Sequence, residues 1–160
     1  MRRSTLGAAG ALAAGIATAS LAFAPTAAAA VSPGTATATY DCGSWGGGVA
    51  TLVMTHSGTT AQVTITAPVT TPIAVGADTI TSSLTLANSA GPARVFTGKK
   101  NPAIPAGGTA KLGPLTATPV VAGDKLNSYF AGTALKLVIF GVTVNCDAVT
   151  SQSPGPFVIS

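Results

Sequence analysis

The chain holds no glutamate, one histidine, one tryptophan and two cysteines, and only 8% of its 160 residues are charged. Each scarcity excludes something. Without glutamate, the carboxylate pair of a glycoside hydrolase would have to come from Asp41, Asp78, Asp124 and Asp147. All four stand beside turns or strand ends, where aspartates serve as turn caps or solvated charges. His56 and two remote cysteines offer too few ligands for a structural zinc site. Ser57 follows His56, but sequence neighbours on a strand point to opposite faces, and the chain contains no Gly-x-Ser-x-Gly elbow. No catalytic residue, metal ligand or cofactor is assigned.

What is present begins with a leader. Met1-Arg2-Arg3 is a positive start, Leu6 to Phe23 is an uncharged apolar run, and Ala27 to Ala30 closes it with small side chains. These are the three parts of a secretory signal peptide, with cleavage expected before Val31. About 18 apolar residues would just span a bilayer, but alanine and glycine make a poor anchor and the alanine run invites cleavage. No cysteine follows the run, which excludes lipoprotein processing. The expected division is a signal peptide over 1–30 and one secreted domain over 31–160, with no membrane attachment after cleavage.

About 130 residues suffice for one domain and one core. Arg2 and Arg3 leave with the leader. Six basic side chains then face four aspartates, a net charge near +2, too small and scattered for nucleic-acid binding. Cys42 and Cys146 both lie in the exported part, and an even pair in an oxidising compartment is expected to form a disulfide. The bridge would close a loop of roughly 100 residues.

Threonine, valine, glycine and proline favour strands joined by turns. Val63, Ile65 and Ala67 alternate with Thr64 and Thr66, giving an apolar and a hydroxyl face. Ile80, Ser82, Leu84 and Leu86 share one face of a second strand. Val49 to Thr55 and Ala61 to Ala67 read as a hairpin around a five-residue loop. Gly98 to Gly108 reads as a loop. The most apolar segment, Ala134 to Val144, reads as one central strand leading into Cys146. Short strands at 8–12-residue spacing with turns between them predict an antiparallel all-β domain. A β-sandwich of immunoglobulin-like architecture is the expected form, and a closed β-barrel is the alternative.

Three residues are candidate binding residues. Trp45 lies within Gly43-Ser44-Trp45-Gly46-Gly47-Gly48, where glycine leaves its ring unscreened for stacking on a sugar or partner surface; equally, it could fold back over the disulfide as a core lid. Lys99 and Lys100 form a basic loop tip that could meet an anionic wall polymer, each exposed contact contributing about a kcal/mol or less. The hydroxyl faces are read as solvent faces.

The Arg-Arg/Ala-rich leader, Tyr40-Asp41-Cys42, Gly91-Pro92, Pro105-Ala106-Gly107-Gly108 and Gly141-Val142-Thr143-Val144-Asn145-Cys146 together resemble small secreted, immunoglobulin-like surface proteins of high-GC Gram-positive (actinobacterial) bacteria. That resemblance implies secretion and a β-sandwich and carries no activity. Neocarzinostatin-type chromophore carriers are similar in size, secretion and class. Their two short-range disulfides are absent here, so the likeness ends at the fold.

The reading is a non-enzymatic secreted or wall-associated binding or structural domain, its partner a cell-wall polymer or another surface protein. A carrier of a small apolar ligand is the alternative, and a hydrolase using His56 with an aspartate a distant third.

Overall fold

A computed structural model describes residues 30–160, the side chain of Pro68 excepted; the expected signal peptide lies outside the described residues up to Ala30. The strands run β1 (Val31–Ser32), β2 (Thr35–Asp41), β3 (Gly47–Ser57), β4 (Thr60–Thr70), β5 (Thr81–Asn88) and β6 (Arg94–Gly98). They continue β7 (Thr109–Ala117), β8 (Lys125–Ser128), β9 (Leu135–Ile139), β10 (Val142–Ala148) and β11 (Phe157–Ile159). The one helical element described is a single 3-10 turn, Gly43–Trp45.

All pairings are antiparallel. The ladder runs β5-β6-β7-β4-β3-β2-β10-β9 and returns to β5, so eight strands close into a barrel. The all-β antiparallel expectation holds, in the form of its barrel alternative; the described ladder does not separate into two stacked sheets. Strand β5 makes closure possible by dividing its free edge. Thr81 to Leu84 pair with β9, whereas Leu86 to Asn88 pair with β8. Strand β8 in turn carries β11 and β1 as a small flap beside the barrel.

Alternation decides which side chains fill the barrel. Val63, Ile65 and Ala67 are buried while Thr64 and Thr66 face outward, and Ser82, Leu84 and Leu86 are buried in β5. Tyr40, Leu52, Phe96, Leu112, Leu135 and Cys146 belong to the same core. A closed sheet of eight strands leaves an interior just wide enough for side chains, and these fill it.

Three local readings change. The β3–β4 hairpin is tight, with Ser57 opposite Thr60 and only Gly58-Thr59 between them; Gly58 supplies the positive φ (62°) that the turn requires. The apolar segment 134–144 is two strands. Val142 pairs with Ile139, and the chain reverses at Phe140-Gly141. Its uniform apolarity hid the turn, because Phe140 is not a turn-forming residue. Asp124 is buried rather than solvated. Its carboxylate accepts from Arg94 Nε (3.0 Å) and Nη2 (3.2 Å), Asn88 Nδ2 (2.8 Å) and the Val121 amide (3.1 Å).

Candidate functional site

Antiparallel order brings four connections to one end of the barrel: 42–46 between β2 and β3, 71–80 between β4 and β5, 99–108 between β6 and β7, and the Phe140-Gly141 turn. Trp45, Lys99 and Lys100, far apart in sequence, therefore share that end.

The two long loops there are stitched together. Val75 and Ile104 exchange backbone hydrogen bonds of 2.8 and 2.9 Å, Thr71 N–H donates to Gly108, and Gly107 N–H donates back to Thr71. Asn101 is the rivet. Its Oδ1 accepts from the amides of Thr79 and Ile80, and its Nδ2 donates to the carbonyls of Gly76 and Pro102, each at 2.8–2.9 Å. Val75, Ile104, Asn101 and Thr71 are buried. The loops thus plug the barrel mouth with satisfied backbone groups, which gives the surface above them a fixed shape.

Trp45 stands at the edge of this plug. The Cys42 amide donates to Gly46 O (2.8 Å), Asp41 Oδ1 accepts from Gly43 N–H (2.9 Å), and together they hold the turn closed. The indole is half-buried against the core and half free, so the core-lid and exposed-ring readings each describe one part of it. It separates two hollows. One, of about 400 Å³, is walled by Ser44, Thr70, Thr71, Pro72 and Gly107 with Trp45. The other, of about 110 Å³, is an apolar notch between Trp45, Pro72, Ile73, Ile139, Phe140 and Val142.

Phe140 is the residue that sequence reasoning missed. Its φ is 52° and that of Gly141 is 78°, positive at both central positions of a two-residue turn, as a type I′ hairpin requires. Asn or Asp followed by Gly normally fills such a turn, and a bulky side chain at positive φ is an outlier. Phe140 is 62% exposed, and Ile73 beside the same notch is 57% exposed. The signal available in the sequence was Gly141 alone.

Lys100 Nζ lies 3.2 Å from Asp78 Oδ2, both side chains well exposed. The basic tip is thus partly neutralised by a pair worth at most about 1 kcal/mol. Lys99 is exposed at the same end, and neither lysine lines the hollows around Trp45.

His56 lies away from this cluster, near the β3–β4 turn, in a hollow of about 190 Å³ lined by Thr55, Ser57, Thr60 and Gln62. Its ring nitrogens hydrogen-bond to no described group, and the walls of the hollow bring it hydroxyls and an amide but no carboxylate. The chain matches no family model, no curated protein and no solved structure.

Proposed function

We propose that the chain is an exported, non-enzymatic binding domain that grips a wall polymer or surface partner with the Trp45–Phe140 end of its barrel. The observation that carries this reading is Phe140: a large apolar ring held in a backbone conformation that costs energy, at a turn tip, with most of its surface in water. Strain of this kind persists where the surroundings impose it and gathers at ligand-contacting sites. Beside it, Trp45 offers a second aromatic surface on a loop platform rigid before any partner arrives, which lowers the ordering cost of association. The leader 1–30 supports export, and the bridge between Cys42 and Cys146 suits an oxidising compartment. The buried side chains packed inside the barrel weigh in favour of a surface-binding domain over the carrier alternative.

The test uses the full chain expressed with its leader in an actinobacterial host and recovered from the medium. Intact mass should begin at Val31 or within a few residues of it. The protein should co-sediment with purified Gram-positive walls, and Phe140→Asn, which keeps the turn and removes the ring, should lower the bound fraction several-fold. Unchanged sedimentation of the variant would remove this end of the barrel from the function.

A further inference from the structure

Resting on that reading of the Trp45–Phe140 end, we infer that its ligand is a neutral glycan bearing N-acetyl groups. The two hollows differ in chemistry and share a wall. In the larger, the exposed side chains of Ser44 and Thr70 share the wall with the indole, while the Thr71 hydroxyl is buried and donates to the Pro105 carbonyl. A flat polar ring could therefore lay its C–H face on Trp45 with its hydroxyls toward Ser44 and Thr70. The smaller is lined almost wholly by apolar side chains and is only about 110 Å³. That space suits a small apolar substituent on the ring rather than a second ring.

No ionisable side chain lines either hollow. A charged ligand would lose hydration there without a counter-charge in return. An acetamido group meets both requirements: it places a methyl in the notch and leaves its amide on the side of the larger hollow, which Ser44 and Thr70 line. An unsubstituted glucan would leave the notch unfilled. A deacetylated amino sugar would bring an ammonium toward Ile73 and Phe140. The two linings therefore favour a neutral ring with a small acyl arm over a purely apolar or an ionic ligand.

The chain has one tryptophan, so its intrinsic fluorescence reports on this cleft directly. Three oligosaccharides of equal length and the same β-1,4 backbone are titrated into the secreted protein: N-acetylglucosamine, glucose and glucosamine oligomers. The N-acetylated series should shift and saturate the emission, with at least tenfold higher affinity than the glucose series and no saturation by the glucosamine series. Phe140→Asn should reduce that affinity at least fivefold, and Val142→Thr, which keeps the fold and makes the notch polar, should narrow the preference over glucose oligomers. Equal binding of glucose and N-acetylglucosamine oligomers overturns the inference, as does saturation by glucosamine oligomers.

Silence of all three series, with wall sedimentation still lost in Phe140→Asn, overturns the glycan while leaving the binding surface standing. A concentration-dependent dimer abolished by Phe140→Asn, with no sugar response, would instead make a second copy the occupant and overturn the inference.

Discussion

Cys42 and Cys146 face each other across the joint between β2 and β10, bonded, with their Cα atoms 4.0 Å apart and a sequence separation of 104. The ladder at that joint is short: Asp41 opposite Asp147 and Tyr40 opposite Ala148. The bridge continues this register by one step, where the chain turns away toward Trp45. It therefore staples a thinly paired joint of the barrel and constrains nearly the whole unfolded domain. Replacing both cysteines by alanine should lower unfolding free energy by about 2–5 kcal/mol. Thermal unfolding of the two proteins at equal concentration measures it. Melting temperatures within a degree of each other would mean that side-chain burial and the hydrogen bonds that continue along this edge, among them Val149 N–H to Thr39 O (2.8 Å), hold the joint without the bridge.

One step from the bridge, the paired carboxylates of Asp41 and Asp147 are both exposed, and like charges directly opposite are unfavourable. Asp41 is committed to the Gly43 amide, so Asp147 is the one to change. Asp147→Asn should stabilise the domain by a few tenths of a kcal/mol, and the gain should shrink in high salt, where exposed charges are screened. Denaturant melts at low and high salt give both quantities.

Phe140→Asn should raise stability by about 0.5–1 kcal/mol, because Asn adopts the left-handed region at little cost and Asn-Gly is a favoured type I′ pair. The same substitution should weaken binding. A variant that is more stable and less active separates the functional ring from a merely tolerated one. Loss of stability instead would mean that the Phe140 ring is structural.

The strands were legible where polar and apolar residues alternate. Val63 to Ala67 and Ile80 to Leu86 declare their inner face residue by residue, and the structure buries those residues. The disulfide followed from two cysteines placed after a leader expected to direct export. Closure into a barrel was not legible, because it rests on β5 serving β9 with one half and β8 with the other. No local pattern encodes which strand edges meet. Trp45 and the two lysines were visible as chemistry, but their common end comes from strand order. Phe140 was invisible because turn chemistry and hydrophobicity disagree at that residue, and the proposed binding surface rests on that same disagreement.

Asp124 and Arg94 should behave as one unit. Burial by itself would raise the Asp124 carboxyl, but the Arg94 fork, the Val121 amide and the Asn88 amide outweigh it and hold the group below its usual range. A depressed folded value means the contribution is present above the unfolded value of about 3.9 and is lost as pH falls through the folded one. Asp124→Asn should cost about 1–3 kcal/mol near neutral pH, chiefly by leaving the largely buried Arg94 guanidinium short of its charged partner. The gap between variant and wild type should close in strong acid, where denaturant melts would show the two proteins converging. A gap independent of pH would locate the loss in packing.

Tyr40 makes the opposite prediction at the alkaline end. Its ring lies in the core with 1% exposure, and no described group is within hydrogen-bond reach of its hydroxyl. Burial pushes its phenol up to about 12 from an ordinary 10.0, because the phenolate would lose its hydration. The folded state therefore holds this proton more tightly than the unfolded chain. The stability tied to it is complete below pH 10 and drains away as pH rises toward 12, on the order of 2–3 kcal/mol across the window. Phenylalanine at position 40 has no proton to lose. Tyr40→Phe should fold with near-wild-type or slightly higher stability at pH 7, since it deletes a hydroxyl that finds no protein partner. It should then outlast the wild type increasingly above pH 10, and ultraviolet titration should lack the late phenolate step. If both proteins lose stability in parallel from pH 10 to 12, the alkaline weakness lies with other groups and the Tyr40 hydroxyl is reached by solvent.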